Sequence, residues 1–168
     1  MNPSIIDKPA FLVVGMRALW NLKPEIPASL WADKMLSRRK EVPAVPGTEN
    51  TVFGIFSAIP DSGGKLFDYV AGMMVSSFEN IPVGMVGWEV PGGTYVSVAT
   101  RGLSSIYGAY REIVDKWLPG SGYVLVDSPV FCLSSQISNP ADPSAFWQVN
   151  VQIKNLKHLT GIEMWNAD

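Results

Sequence analysis

Apolar positions along this chain switch between strand spacing and helical spacing, and the switches mark out the elements. Phe11 to Trp20 is an apolar, β-branched run that predicts a strand leading out of a proline-bearing tail. Pro24 and Pro27 precede a stretch where Ala28, Trp31, Ala32, Met35 and Leu36 recur at helical intervals, one stripe on one face. Pro43 and Pro46-Gly47 end that helix. Thr51 to Pro60 predicts a strand, Asp61-Ser62-Gly63-Gly64 a hairpin turn, and Phe67 to Ser76 the returning strand. Asn80 to Gly84 then lead into extended chain at Met85 to Val90, a turn at Pro91-Gly92-Gly93, and a strand over Thr94 to Arg101. Ser104 or Ser105 is placed to cap a second helix, accepting an orphan backbone N–H. Its buried stripe is Ile106, Tyr110, Ile113, Val114 and Trp117, and Pro119-Gly120 stops it. Pro129 to Ser135 predicts a short strand and Asn139 to Pro143 a loop. From Phe146 to Lys154, Trp147, Val149, Val151 and Ile153 alternate with Gln148, Asn150 and Gln152. That is the pattern of an antiparallel strand covered on a single side. The tail from Leu156 reads as a short helix or irregular cover.

Both halves therefore read β-α-β-β, an α+β arrangement, and the chain nearly repeats itself. Val52-Phe53-Gly54-Ile55-Phe56-Ser57 returns 78 positions later as Val130-Phe131-Cys132-Leu133-Ser134-Ser135. Val14-Gly15-Met16-Arg17-Ala18-Leu19 returns as Val98-Ala99-Thr100-Arg101-Gly102-Leu103, and Asp33-Lys34-Met35-Leu36 as Asp115-Lys116-Trp117-Leu118, at offsets of 84 and 82. Similar offsets in one chain order predict two copies of one unit, about 9–78 and 85–156, packed as a single domain over 1–168. A seam between such halves is a place where small molecules bind.

Composition narrows the function. With 47% hydrophobic and 17% charged residues, 168 residues suffice for a sizeable core. No apolar run approaches the roughly 18 residues that span a bilayer. Met1 to Pro9 is polar where a signal peptide needs apolar residues, so a cytoplasmic location is expected. The single cysteine excludes an internal disulfide and a multi-cysteine metal site. A net charge of −2 argues against direct nucleic-acid binding. The one basic run, Arg38-Arg39-Lys40, ends a helix and complements its dipole. Six tryptophans, five tyrosines and seven phenylalanines either fill the core or wall a cleft suited to a planar or cationic ligand.

Catalytic and cofactor chemistry finds little support. Asp61-Ser62-Gly63-Gly64 resembles a serine nucleophile turn, but the sole histidine is His158 in the polar C-terminal region. Nothing in the sequence brings Cys132 to that histidine, and a cysteine within a strand reads as a small buried hydrophobe. There is no HExxH or CxxC spacing, and the glycine pairs lack the helix-opening context of a phosphate loop. No metal, no cofactor and no catalytic residue are expected. Among the carboxylates, Asp68 and Glu79 read as solvated edge residues. Glu89, next to Trp88, could draw a cation by charge and ring face together.

The run Pro91-Gly92-Gly93-Thr94-Tyr95-Val96-Ser97-Val98-Ala99-Thr100-Arg101-Gly102, followed by a helix and by Trp117-Leu118-Pro119-Gly120-Ser121-Gly122-Tyr123, resembles the GyrI-like effector-binding domain. Phe67 to Val75 is similar to that family's tyrosine–glycine strand. The resemblance spans nearly the whole chain. It implies two βαββ units about a pseudo-twofold axis, with a cleft between them for lipophilic, often cationic, aromatic compounds. Many members are sensors of multidrug-responsive or AraC-type transcription regulators. Certain relatives hydrolyse reactive cyclopropane-bearing toxins with a pocket glutamate, some modulate DNA gyrase, and distant cousins are associated with haem. The chain is too short for an added helix-turn-helix domain, so a stand-alone binding module is expected, with a separate regulator or protein partner possible.

One departure bears on the chemistry. Where the family pattern has phenylalanine, glutamate, one residue and tyrosine, this chain has Phe131-Cys132-Leu133-Ser134. The pocket carboxylate is thus Cys132 and the tyrosine Ser134. The loss lowers the hydrolase reading more than the binding one. Alternation puts Cys132 and Ser134 on one face with Gly54 and Phe56. The expected ligand-binding residues are Phe56, Tyr69, Trp88, Tyr107, Cys132, Ser134 and Trp147, with Glu89 as the charge. The expected partner is a small lipophilic aromatic or cationic molecule, not a membrane.

Overall fold

The computed structural model describes residues 1–135 and 139–156. Among these residues nine strands make one antiparallel sheet: β1 Ser4–Lys8, β2 Phe11–Trp20, β3 Thr51–Ala58, β4 Phe67–Val75, β5 Val86–Val90, β6 Gly93–Arg101, β7 Tyr123–Leu125, β8 Val130–Ser135 and β9 Phe146–Asn155. Its path is β1-β6-β9-β8-β3-β4-β2-β5, with β7 also on β9. The triplets β6-β9-β8 and β3-β4-β2 lie side by side, so the second half repeats the strand order of the first, as two pseudo-symmetric βαββ repeats in an α+β fold require.

The sheet closes on itself. Lys8 pairs with Gly93 in the β1·β6 ladder, and Phe11 pairs with Val90 in the β2·β5 ladder. In every pair of both ladders the residue numbers sum to 101, so they are one ladder interrupted where Pro9 and Pro91 lack an N–H. The two backbones nearly touch there: a Cβ on Gly92 would lie 2.8 Å from the Ala10 nitrogen. The curl shows in the side chains as well. Phe11 on β2 lies 5.2 Å from both Phe53 on β3 and Phe131 on β8. Yet β2 and β8 stand three strand spacings apart, about 14 Å along the sheet.

Closure gives the sheet two buried faces. The inner one packs Val13, Phe53, Ile55, Val70, Val90, Tyr95 and Phe131. The outer one lies under the helices. The alternation along β9 predicted a single covered side, and this is corrected: Asn150 is fully buried on the inner face. Its amide donates to the Phe131 and Gln148 carbonyls. The tail expected before Phe11 is likewise corrected, because Ser4 to Lys8 form β1 against β6.

Each half carries one helical segment on the outer face. The first is α1, Glu25–Ser29, continued by a π-helical turn Leu30–Met35 and a 3-10 stretch Leu36–Glu41. The second opens with a 3-10 turn Leu103–Ser105, continues as α2, Ile106–Glu112, and ends in a π turn Ile113–Trp117. The echoed Asp-Lys pairs, Asp33-Lys34 and Asp115-Lys116, both fall in the π turns. The wider turn rotates the first stripe, so Leu30, Trp31 and Met35 are buried while Ala32 faces solvent. Ser105 stands at the helix start without a side-chain capping bond, and Gly102 makes the entry at φ 78°. Arg38 is not a free cation, since it pairs with Glu41 and donates to the Val83 carbonyl of the linker between the halves. No helix among the described residues is long and apolar enough to cross a membrane.

Candidate functional site

The β3·β8 ladder puts Gly54 directly opposite Cys132, and these are also the residues that the internal echo makes equivalent. A pseudo-twofold axis therefore passes through this pair. Tyr69 on β4 is in register with Phe56, and Trp147 on β9 stands 78 positions beyond Tyr69. One step past the Leu133–Gln148 pair, the β8·β9 register sets Trp147 against Ser134, the counterpart of Phe56. Tyr69 and Trp147 thus flank the axis at equivalent places.

Trp31, carried by the first π turn, covers this centre. Its indole Nε1 donates to Tyr69 Oη at 3.2 Å, and its ring lies 6.3 Å from that of Trp147. Trp31, Phe56, Tyr69, Cys132 and Trp147 are all 1% exposed or less. Gly54 is required beneath them: a Cβ there would come within 2.4 Å of Tyr69 Oη. Glycine at 54 and cysteine at 132 leave the space on the axis that the tyrosine hydroxyl enters.

Burial pushes the Cys132 thiol and the Tyr69 phenol well above their ordinary values of 9.0 and 10.0. Both stay neutral in the fold, while the unfolded chain ionises freely. Their contribution is fully present below pH 9 and is lost as pH rises, first through Cys132 and above pH 10 also through Tyr69. Each contributes a loss of about 1.4 kcal/mol per pH unit. Thermal melts between pH 8 and 11 are expected to show this decline, and Cys132→Ala is expected to move its onset toward pH 10.

Next to the centre lies a cluster of rings with Trp20 as its hub. Its ring is 5.3 Å from Phe56, 5.7 Å from Phe67, 5.7 Å from Tyr69 and 6.1 Å from Tyr107. Tyr107 and Tyr110 come from α2 and are half-buried. Mostly edge-to-face geometry lets such rings pack densely. Beside Tyr110, Phe56 and Phe67 opens a cavity of about 100 Å³, with exposed Asp127 at its rim.

The outer face gathers Phe56, Tyr69, Tyr107, Cys132 and Trp147. Ser134 is buried in register with Val52 of that face, its hydroxyl donating to the Phe146 carbonyl. Trp88 is separated from them. It packs on the inner face, because successive strand residues point to opposite sides. Glu89 is exposed on β5, so indole and carboxylate do not form one receptor for a cation. Asp68 is ion-paired with Arg17. His158, the residue Cys132 would need as a base, lies outside the described residues. Four residues of this region are not marked out by the sequence as ligand-facing: Trp20, Trp31, Tyr110 and Asp127. Trp31 and Tyr110 were visible in the helical stripes but looked like ordinary core. No group of three or more metal-ligating side chains occurs among the described residues.

Comparison with known proteins agrees with this architecture. The chain is 30% identical over 102 residues to the transcriptional regulator BrlR of Pseudomonas aeruginosa. That match covers 61% of the chain and only 36% of the regulator, so the chain spans about a third of that relative's length. The C-terminal domain of EcmrR superposes with a TM-score of 0.67 at 15% identity, covering 92% of this chain and 98% of that one. SAV2435, solved bound to tetraphenylphosphonium, superposes with a TM-score of 0.63 at 12% identity over 94% and 97% of the two chains. The family model of the GyrI-like small molecule binding domain matches residues 1–154, and the chain belongs to that family.

Proposed function

We propose that this chain binds a lipophilic aromatic small molecule in the cleft between its halves, and that neutral compounds are preferred over cations. The observation that carries this is the lining of the pseudo-twofold centre. Trp31, Phe56, Tyr69 and Trp147 pack in one cluster with the buried thiol of Cys132, and among the described residues no carboxylate is buried. A buried cation without a counter-charge is costly, whereas flat apolar rings gain by leaving water. The shared fold with SAV2435, bound to tetraphenylphosphonium, supports the view that this scaffold holds aromatic ligands. Asp127 at the rim is the acid that would attract a charged substituent.

Drug-sized ligands occupy roughly 300–1,000 Å³, more than the 100 Å³ beside Tyr110. A ligand seated at this centre would require the aromatic layer to part, and Trp31 is the piece we expect to move. It rides on a π turn, a feature found often at functional sites. As an effector module, the chain would report occupancy through this movement to a regulator, or sequester the compound.

Position 132 offers a hydrolase neither carboxylate nor accessible thiolate, so hydrolysis is not the favoured reading. The test is tryptophan quenching with thermal shift against tetraphenylphosphonium and triphenylphosphine oxide, a cation and a neutral compound of similar shape. Saturable quenching and a raised Tm are expected with the oxide, and a weaker response with the cation. A stronger response to the cation would overturn the neutral preference. Silence with both would overturn binding and bring a protein partner forward.

A further inference from the structure

We propose that the cleft recognises a hydrogen-bond acceptor on its ligand, a carbonyl, sulfonyl or phosphoryl oxygen, through the indole N–H of Trp147 and the hydroxyl of Tyr69. The inference rests on the ligand-binding reading above and specifies the ligand class.

Trp147 is fully buried, and among the described residues its Nε1 has no hydrogen-bond partner. An indole N–H is a donor only, so it cannot be satisfied by another donor. Burying such a group unpaired is unfavourable, and native folds rarely leave one so without a reason. Tyr69 shows the same polarity. Its oxygen accepts from Trp31 Nε1, and among the described residues its own proton has no acceptor. The thiol between them is protonated and is itself a weak donor. Every polar group at the centre therefore offers hydrogen and none offers a free carboxylate oxygen.

The fold places the two strong donors symmetrically. Tyr69 and Trp147 are 78 positions apart, as are Gly54 and Cys132 on the axis between them. The register thus sets one donor-bearing aromatic side chain from each half beside the axis, where, on this proposal, one acceptor oxygen meets both. When Trp31 withdraws to admit a ligand, Tyr69 loses the bond it accepts and keeps its proton to give. Aromatic faces then hold the ligand body while the oxygen fixes its position. A ligand of similar shape without an acceptor would leave both donors unpaired, the situation in which sites discriminate most strongly.

The experiment compares triphenylphosphine oxide with triphenylmethane by calorimetry on the wild-type chain, Trp147→Phe and Tyr69→Phe. The indole N–H signals are followed by ¹H–¹⁵N spectroscopy, with Trp147 assigned through sequential and side-chain connectivities in the wild-type chain. The oxide is expected to bind the wild type about tenfold more tightly. That ratio is expected to fall toward one in Trp147→Phe and to shrink in Tyr69→Phe. The Trp147 N–H resonance should move downfield with the oxide and not with the hydrocarbon. Should Trp147→Phe fail to fold, the wild-type resonance and Tyr69→Phe still decide. Equal affinities for the two compounds, or a stationary Trp147 signal, would overturn the acceptor proposal while leaving ligand binding intact. Absence of binding by either would overturn the ligand reading and this proposal together.

Discussion

Cys132→Glu is expected to convert the cleft to a cation receptor and to make the empty protein unstable at neutral pH. The new carboxyl would sit where the thiol is 1% exposed, on the axis beneath Trp31. Burial would raise its pKa above the ordinary carboxylate value near 4.3. Such a group is neutral in the fold and ionised in the unfolded chain. Stability is therefore intact below about pH 4.3 and falls as pH rises toward the elevated folded value. A tetraphenylphosphonium cation would compensate the charge in a medium where charges attract strongly. Its affinity should rise at least about tenfold, and its thermal shift should be larger at pH 8 than at pH 5. Cys132→Gln, of similar size without the charge, is expected to show neither effect. Equal cation binding by the Glu and Gln variants would place position 132 away from the ligand.

Gly15→Ala is expected to prevent folding. Gly15 faces Gly72 in the β2·β4 ladder, and β2 is bonded there to β5 as well. A Cβ would lie 1.9 Å from the Ala71 carbonyl oxygen and 2.5 Å from the Gly72 Cα. These are backbone atoms in the middle of two ladders, so relief requires the strands to part. Overpacking usually costs 1–3 kcal/mol, and here the expected loss exceeds about 3 kcal/mol, a large part of a typical domain's stability. Gly108→Ala is the control. It lies on α2 with no atom within 4 Å of the added carbon, and should stabilise by about 0.5–1 kcal/mol. Denaturant midpoints of the two variants test the contrast. A Gly15→Ala protein melting like the wild type would refute the close approach of β2 and β4.

The echo of Val52–Ser57 in Val130–Ser135 already identified the strands that meet at the axis, because their alternation had to match for the two halves to pair. The helices were also legible from their apolar spacing, but not the π turns, whose extra residue rotates the stripe and brings Leu30 inward beside Trp31 in place of Ala32. Local periodicity carries no information about closure either. The polar residues of β9 looked solvent-facing, yet Asn150 is enclosed because β2 and β5 complete the ring of strands far away in sequence. Trp88 and Glu89 are neighbours in sequence and were read as neighbours in space. In a strand adjacent side chains diverge, which sends the indole inward and leaves the carboxylate exposed. Tyr69 and Trp147 were picked out for their rings, but their shared relation to the axis needed the register.

For the binding proposed above, a centre built on a pseudo-twofold axis has a consequence for the range of compounds it would admit. Turning a ligand end over end exchanges Tyr69 for Trp147 and Gly54 for Cys132, so either heading meets an aromatic donor and a small residue. Two headings of comparable energy are two ways of being bound, and the bound state retains orientational entropy that an asymmetric pocket would forfeit. Breadth of recognition would then follow from duplication itself, with the differences between equivalent positions, Gly54 and Cys132, Tyr69 and Trp147, Phe56 and Ser134, deciding how far one heading is favoured.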